Sequence, residues 1–169
     1  MKKIIPLFVL LVLLFCACTR ANSPALKTSF SQNAVVESGD FSYNAEIKFD
    51  NNTVYITPTS SNAAGLTVSC DGQNVNFSFR DMSDSCEYSS VSDYNTAKIL
   101  YCVFCNTYNA QVKRAGDNTL FLGKTDVGNY ELSLDKNMNL LSLSVPDASL
   151  KIKFIKQLSL IHISEPTRH

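Results

Sequence analysis

One stretch of the chain alternates strictly between apolar and polar side chains: Phe41-Ser42-Tyr43-Asn44-Ala45-Glu46-Ile47-Lys48-Phe49. A period of two predicts a β-strand with one buried face and one solvated face. The turn sequence Asp50–Thr53 follows directly. A hairpin closed there places Phe49 opposite Val54, and the same register places Ile47 opposite Ile56. The stretch therefore predicts an antiparallel sheet that is apolar on one face.

Similar patterns recur before and after this hairpin. They predict further strands at Asn33–Ser38, Leu66–Cys70, Gln73–Phe79, Asn118–Lys124, Gly128–Leu134, Leu140–Val145 and Leu150–Lys156. The dipeptide Asp71-Gly72 predicts a type I′ turn. That turn places Val68 opposite Val75 and Leu66 opposite Phe77.

The last three predicted strands share one apolar face. A turn before Leu140 places Leu132 opposite Leu141 and Tyr130 opposite Leu143. A second turn, at residues 146–149, places Leu143 opposite Ile152 as well. Such agreement between turns and patterning is typical of a sequence that folds to one structure.

One long helix is predicted between the two groups of strands, from Val91 to Ala115. Ser90 and Asp93 resemble an N-terminal capping box, and Gly116 suits the position after a helix end. Residues 99–105 are apolar nearly all round, which predicts burial on more than one side. The predicted fold class is α+β: a curved antiparallel sheet of eight or nine strands, resembling an incomplete barrel, with one long helix across its apolar face.

This order of hairpins and helix resembles the LolA-like family of lipoprotein-sorting and lipid-binding proteins, over roughly Ser29 to Gln157. The resemblance implies an incomplete antiparallel barrel that holds acyl chains beneath helices. This chain departs from the family in offering one helix rather than several. The residues expected to line a cavity for a lipid or other apolar ligand are Tyr43, Ile47, Phe77, Phe79, Tyr101, Phe104, Tyr130, Leu132, Leu143 and Ile152. The same side chains could instead form a close-packed core.

The N-terminus has the layout of an export signal. Met1-Lys2-Lys3 is positive, residues 4–15 are apolar, and Phe15-Cys16-Ala17-Cys18 ends in small residues and cysteine. This ending resembles the lipobox of bacterial lipoproteins, in which the cysteine after the cleavage site is lipidated. The resemblance implies a signal peptide at 1–17, lipidation of Cys18 and a tether at 18–28. It also implies anchoring to the outer face of the bacterial cell membrane.

The C-terminus carries a second resemblance. Residues 158–169, which begin Leu158-Ser159-Leu160-Ile161, look like a translated transposon-end adapter from a sequencing library. They are therefore left out of the predicted domain, which spans 29–157. Both histidines of the chain, His162 and His169, lie in this excluded tail.

Composition limits the chemistry of the predicted mature chain, residues 18–157. It contains no histidine or tryptophan, so a Ser-His-Asp or Cys-His catalytic group is excluded within it. Its net charge is about −2, without a cluster of Lys and Arg, and this argues against nucleic-acid binding. The chain is therefore predicted to be non-catalytic and to need no cofactor.

The cysteines leave several interpretations open. Cys102 and Cys105 form a C-x-x-C pair typical of thiol redox sites, but inside a helix they suit buried free thiols better. Cys70 and Cys86 are the better candidates for a disulfide. The spacing of the four cysteines is loose for zinc, and the acidic residues Asp81, Asp84 and Glu87 lack the spacing of a calcium loop. No metal site is predicted.

The sequence therefore predicts an exported, membrane-anchored lipoprotein that binds a lipid or other apolar ligand between sheet and helix. The alternative is a structural or protein-interaction module of the cell envelope with a fully packed core. A second alternative is a thiol redox protein that acts through Cys102 and Cys105.

Overall fold

The computed structural model describes residues 26–60 and 62–156. The predicted signal peptide, Cys18, most of the tether and the adapter-like tail lie outside these residues. The strands are β1 Phe30–Ser38, β2 Phe41–Asp50, β3 Thr53–Ser60, β4 Leu66–Cys70, β5 Asn74–Phe79, β6 Met82–Glu87, β7 Gln111–Ala115, β8 Asn118–Thr125, β9 Gly128–Leu134, β10 Leu140–Val145 and β11 Leu150–Phe154. The helix, α1, is Thr96–Cys105, and short 3-10 turns occur at Tyr88–Ser90, Thr107–Asn109 and Pro146–Ala148.

All eleven strands form one antiparallel sheet, in the order β6-β5-β4-β3-β2-β1-β11-β10-β9-β8-β7. The antiparallel sheet with one helix on it confirms the predicted class. The predicted number of strands is too low, because β6 and β7 lack alternating apolar residues at most positions and their sequences suit a loop and the end of a helix. The structure also begins β1 earlier than predicted, at Phe30.

Helix α1 is ten residues long, so the prediction of a helix from Val91 to Ala115 was wrong at both ends. The N-cap is Asn95, whose side-chain oxygen accepts hydrogen bonds from the amides of Ala97 and Lys98 at 2.9 and 3.4 Å. At the other end the chain leaves the helix at Asn106. Gly116, read as a helix terminator, has φ +60° and instead lies in the turn between β7 and β8.

Two predicted hairpin registers are confirmed and two are wrong. Phe49 pairs with Val54 and Leu143 pairs with Ile152, as predicted. The β4–β5 hairpin is displaced by two residues, so Val68 pairs with Phe77. The displacement arises because Asp71 pairs with Asn74 and accepts two amide hydrogen bonds within the turn. A shift of two preserves the inward face.

The β9–β10 hairpin departs in a different way. Leu132 pairs with Leu143 rather than with Leu141, and Leu134 pairs with Leu140. The register shifts between Leu140 and Ser142, where a β-bulge accommodates one extra residue. Leu140 and Leu143 therefore both reach the buried side of the sheet, although their spacing breaks strict alternation.

The core lies between the sheet and helix α1. The helix contacts β3 and β4 on one side and β8 on the other, which confirms burial on more than one side. The described part of the chain contains no helix of the length and hydropathy needed to cross a membrane.

Candidate functional site

Helix α1 and the sheet border an open slot of about 280 Å³ at the beginning of the helix. Its walls come from one face of β2, β3 and β4, from the loop between β3 and β4, and from the first turn of α1. The lining residues are Tyr43, Ile56, Pro58, Ala63, Leu66, Val68, Asn95, Thr96 and Ala97. Most of these side chains are apolar, which is the usual character of sites for small organic ligands.

The polar groups of the slot lie where helix and sheet meet. The hydroxyl of Tyr43 on β2 lies near the hydroxyl of Thr96 on α1. Burial raises the pKa of Tyr43, and the neighbouring Thr96 hydroxyl only partly offsets the rise. Asn95 is engaged in capping the helix. The slot therefore combines apolar walls with one neutral hydroxyl pair at the sheet–helix junction.

A buried lysine fixes the segment that leads into the helix. Lys98 is only 3% exposed, and its ammonium donates hydrogen bonds to the carbonyls of Tyr88 and Val91 and to the carboxylate of Asp93, at 2.7–2.9 Å. The ammonium also lies 4.2 Å from the centre of the Tyr88 ring. All three donors of Lys98 are satisfied, so this buried charge stabilises one conformation of residues 88–95. The hydrophobic pattern of the sequence does not predict that Lys98 is buried or that it holds this segment.

The far end of the helix is packed by aromatic rings. The ring centre of Phe104 lies 5.2 Å from that of Phe30 and 5.6 Å from that of Phe49, in tilted and edge-to-face geometry. Tyr101 covers Gly72 so closely that a Cβ atom there would lie 2.1 Å from its hydroxyl oxygen. The helix is thus in tight contact with the sheet at this end.

Of the ten residues predicted to line a ligand cavity, Tyr43 alone lines the slot. Four of the others are fully buried in the core: Ile47, Leu132, Leu143 and Ile152. Phe104 and Tyr130 are buried too, while Phe77, Phe79 and Tyr101 are partly exposed elsewhere. The sequence did not identify the slot residues of β3 and β4, because an inward-facing apolar side chain gives the same pattern whether it packs against the core or borders an empty space.

Tyr130 has an unusual environment within this core. Its hydroxyl is buried and has no hydrogen-bond partner among the described residues, and burial raises its pKa. Its ring lies against Gly123, its cross-strand partner on β8. The absence of a side chain at Gly123 creates the space that the ring fills.

The four described cysteines are free thiols, so the predicted Cys70–Cys86 disulfide is absent. Cys70 lies on β4 and Cys86 on β6, and both pair with Val75 on the intervening strand β5. Two strand spacings separate them by about 9.6 Å, which is beyond the reach of a disulfide.

The C-x-x-C pair lies within α1, and its thiols are poorly suited to redox chemistry. Burial raises the pKa of both Cys102 and Cys105, so little thiolate is present at neutral pH. The Cys102 sulfur lies 3.2 Å from the hydroxyl of Tyr88 and 3.9 Å from a carboxylate oxygen of Asp126. These contacts join the segment after β6, the helix and the β8–β9 turn, and they show how far the sheet curves round α1.

Neither considered metal site is formed by the described residues, which contain no group of three or more potential ligands. The acidic residues Asp84 and Glu87 lie on β6, and an odd spacing along a strand places them on opposite faces. They therefore do not converge on one ion.

Comparisons with known proteins find no matching protein-family model and no matching curated protein. Among solved structures, the chain is similar to the crystal structure of a LolA superfamily protein from Nitrosomonas europaea. The TM-score is 0.38 and the sequence identity 11%. The match covers 70% of this chain and 64% of the other, so the chain spans less than two thirds of that protein. Membership of the family stays a prediction.

Proposed function

We propose that this protein is an exported, membrane-anchored lipoprotein whose domain binds an apolar ligand in the slot beside helix α1. The observation that carries the proposal is the slot itself, a space of about 280 Å³ with mainly apolar walls. Its volume is slightly below the range of about 300–1,000 Å³ typical of small-molecule sites. The expected ligand is therefore slender: a single acyl chain or an apolar molecule of similar width.

Binding would be driven by burial of ligand surface, at roughly 25 cal/mol per Å² of apolar area. The Tyr43–Thr96 hydroxyl pair provides a polar contact for a carbonyl or hydroxyl on the ligand. The first turn of α1 forms the helical wall of the slot and contacts the bound ligand. Residues further along α1 are held by the aromatic cluster around Phe104.

The first test is mass spectrometry of the solvent extract of a purified fragment, Asn22 to Gln157, produced in bacteria. A lipid present in a stoichiometric amount supports the proposal. A matched pair of variants identifies the site: Val68→Phe fills the slot, whereas Val35→Phe adds the same volume at a half-buried position outside the slot lining. We expect Val68→Phe alone to abolish binding. Equal ligand content in the two folded variants would contradict the proposal.

The anchor is tested separately in the full chain. Cells supplied with a labelled fatty acid should incorporate the label into the protein, and the Cys18→Ala variant should lose it. Incorporation that persists in Cys18→Ala would place the lipid elsewhere.

The packed core favours a second candidate function, a protein-interaction module of the cell envelope. Ile47, Leu132, Leu143 and Ile152 lie at 0% exposure, so most of the sheet's inner face is already filled by the protein itself. A folded fragment that carries no lipid and binds none from added fatty acid would favour this candidate.

A further inference from the structure

A second space lies near the other end of helix α1. It is an open cleft of about 530 Å³, bordered by the start of β1, the end of β11 and the turn that joins β9 to β10. Its volume is within the range of about 300–1,000 Å³ typical of small-molecule sites. The lining residues, all polar or charged except Phe30, are Lys27, Ser29, Phe30, Ser31, Gln32, Asp135, Asn137, Asn139 and Lys156. Unlike the slot, the cleft therefore offers hydrogen-bonding groups to a ligand.

Hydrogen bonds within the protein hold one wall of this cleft. The carboxylate of Asp135 accepts hydrogen bonds from the backbone amides of Asn137 and Asn139, at 2.8 and 2.9 Å. It also accepts one from the side-chain nitrogen of Asn139, at 3.1 Å. The side-chain oxygen of Asn139 in turn accepts a hydrogen bond from the ammonium of Lys27, at 2.7 Å. The segment before β1 is thus joined to the β9–β10 turn.

The floor of the cleft is fixed as well. The side-chain nitrogen of Gln32 donates hydrogen bonds to the carbonyls of Leu140 and Ile155, at 3.2 and 3.1 Å. The ring of Phe30 packs edge-on against that of Phe104, with centres 5.2 Å apart, so it lies between the cleft and the buried end of α1. A site formed in advance avoids the cost of ordering its side chains when a ligand binds.

The cleft contains two ammonium groups and one carboxylate. In the part of the chain that the structure describes, neither Lys27 nor Lys156 forms an ion pair. The carboxylate of Asp135 is occupied by its own turn. Hydrogen bonds from Asn139 lower the pKa of Asp135, and the charge of Lys156 lowers it further. An anionic ligand would supply the partner that the two ammonium groups lack.

Two uncharged side chains beside the lysines narrow the class of ligand. The hydroxyl of Ser29 and the side-chain amide of Asn137 are exposed in the cleft, and neither is hydrogen-bonded to another described residue. Each of these groups can both donate and accept a hydrogen bond, as the hydroxyl groups of a polyol also can. A phosphate monoester carries a charge of about −1.5 to −2 at pH 7, which matches two ammonium groups.

We propose that this cleft binds the phosphate monoester of a small polyol, such as glycerol 3-phosphate. The ammonium groups of Lys27 and Lys156 contact the phosphate. The side chains of Ser29 and Asn137 contact the hydroxyl groups of the polyol. The proposal is independent of ligand binding in the slot, because the cleft and the slot share no lining residue.

Isothermal titration calorimetry of the full chain, in a detergent free of phosphate, tests the site with glycerol 3-phosphate. Lys156→Met should weaken binding about fivefold, the effect expected for an exposed charge pair. Lys151→Met is the matched control, because it removes the same charge from an exposed position on β11 about 16 Å away. Its affinity should equal that of the parent. Equal affinities in the two variants, or no binding by the parent at millimolar concentration, would overturn the proposal.

Three comparisons test the class of ligand. Inorganic phosphate should bind more weakly than glycerol 3-phosphate, and Ser29→Ala should weaken the ester about threefold without affecting inorganic phosphate. Short-chain phosphatidylglycerol, a diester with a single charge, should also bind more weakly. Circular dichroism checks that each variant is folded. An unchanged affinity of Ser29→Ala for the ester would contradict the polyol contact, and tighter binding of the diester would assign the cleft to a lipid headgroup instead.

Discussion

The two ends of helix α1 meet the sheet in different ways. Near its C-terminus, Phe104 packs against the rings of Phe30 and Phe49 with centres 5.2 and 5.6 Å away. At its N-terminus, the same helix leaves a slot of about 280 Å³ beside Tyr43. One element thus closes the core at one end and borders an open space at the other. The contrast teaches that the empty space beside α1 depends on where the helix begins, and Asn95 and Lys98 hold that position.

The largest expected effect comes from breaking the closed end. Phe104→Ala removes the ring shared by the aromatic cluster, and such substitutions leave a cavity that costs about 4 kcal/mol of unfolding free energy. Urea denaturation followed by circular dichroism measures the loss. Tyr94→Ala, which truncates an aromatic ring that is 63% exposed, is the control and should cost less than about 0.5 kcal/mol. Similar losses in both variants would mean that the cluster does not hold the helix.

The next largest effect on stability is expected at the N-terminal end of α1, beside the slot. Lys98→Met keeps the length of the side chain but leaves the carbonyls of Tyr88 and Val91 without their donor, at a cost of about 3 kcal/mol. Asp93→Asn leaves both carbonyl contacts intact and removes only an exposed partner, so about 1 kcal/mol or less is expected. The same denaturation experiment compares them. If Asp93→Asn proved the more damaging, the ion pair rather than the carbonyl contacts would fix residues 88–95.

A smaller effect tests the contact of Tyr101 with the β4–β5 turn. Gly72 has φ +88° and lies against Tyr101, so Gly72→Ala combines backbone strain with a steric clash and should cost about 2 kcal/mol. Gly116→Ala has comparable strain at φ +60° but open space around it, and should cost about 1 kcal/mol. The difference between these two losses of unfolding free energy measures the contribution of the contact between Gly72 and Tyr101. Equal costs would show that Tyr101 moves aside freely.

The smallest effect depends on pH and concerns the same turn. Amide hydrogen bonds from Asn74 and Gln73 lower the pKa of Asp71 below its ordinary value of 3.8. A lowered pKa in the folded state stabilises the protein above about pH 4, and this stabilisation is lost as the pH falls through the folded pKa. Asp71→Asn should therefore be less stable than the parent at pH 7, by under about 1 kcal/mol. Unfolding at pH 2.5 should show that difference reduced, and a difference independent of pH would exclude the carboxylate as its cause.

The sequence predicted the parts of the fold that depend on local alternation. The Phe41–Phe49 strand and its hairpin were placed correctly because a period of two and the turn residues agree. The β7 strand was missed because Lys113, Arg114 and Gly116 also suit the end of a helix. Its pairing with β8 depends on a partner strand rather than on its own composition.

The candidate site was much harder to predict than the sheet. Tyr43 and Leu143 are both inward-facing residues on strands, yet only the first borders the slot. The difference is set by the position of α1 across the sheet, and hence by the Asn95 cap. A helix expected to start at Val91 would have covered the same face in another position. The location of empty space is a property of packing, and no single strand pattern encodes it.

The pairing of β1 with β11 has a consequence for how the chain folds. These strands lie in the middle of the sheet, where Lys153 of β11 donates a hydrogen bond to Glu37 of β1, 116 residues away in sequence. The most C-terminal strand of the described residues thus joins the two groups of hairpins. The entropy cost of closing so long a loop must be met before the contacts between β1 and β11 can form. Folding is therefore expected to be slow. The hairpins of β1–β6 and of β7–β10 can form early, but they become one sheet only after β11 has been made.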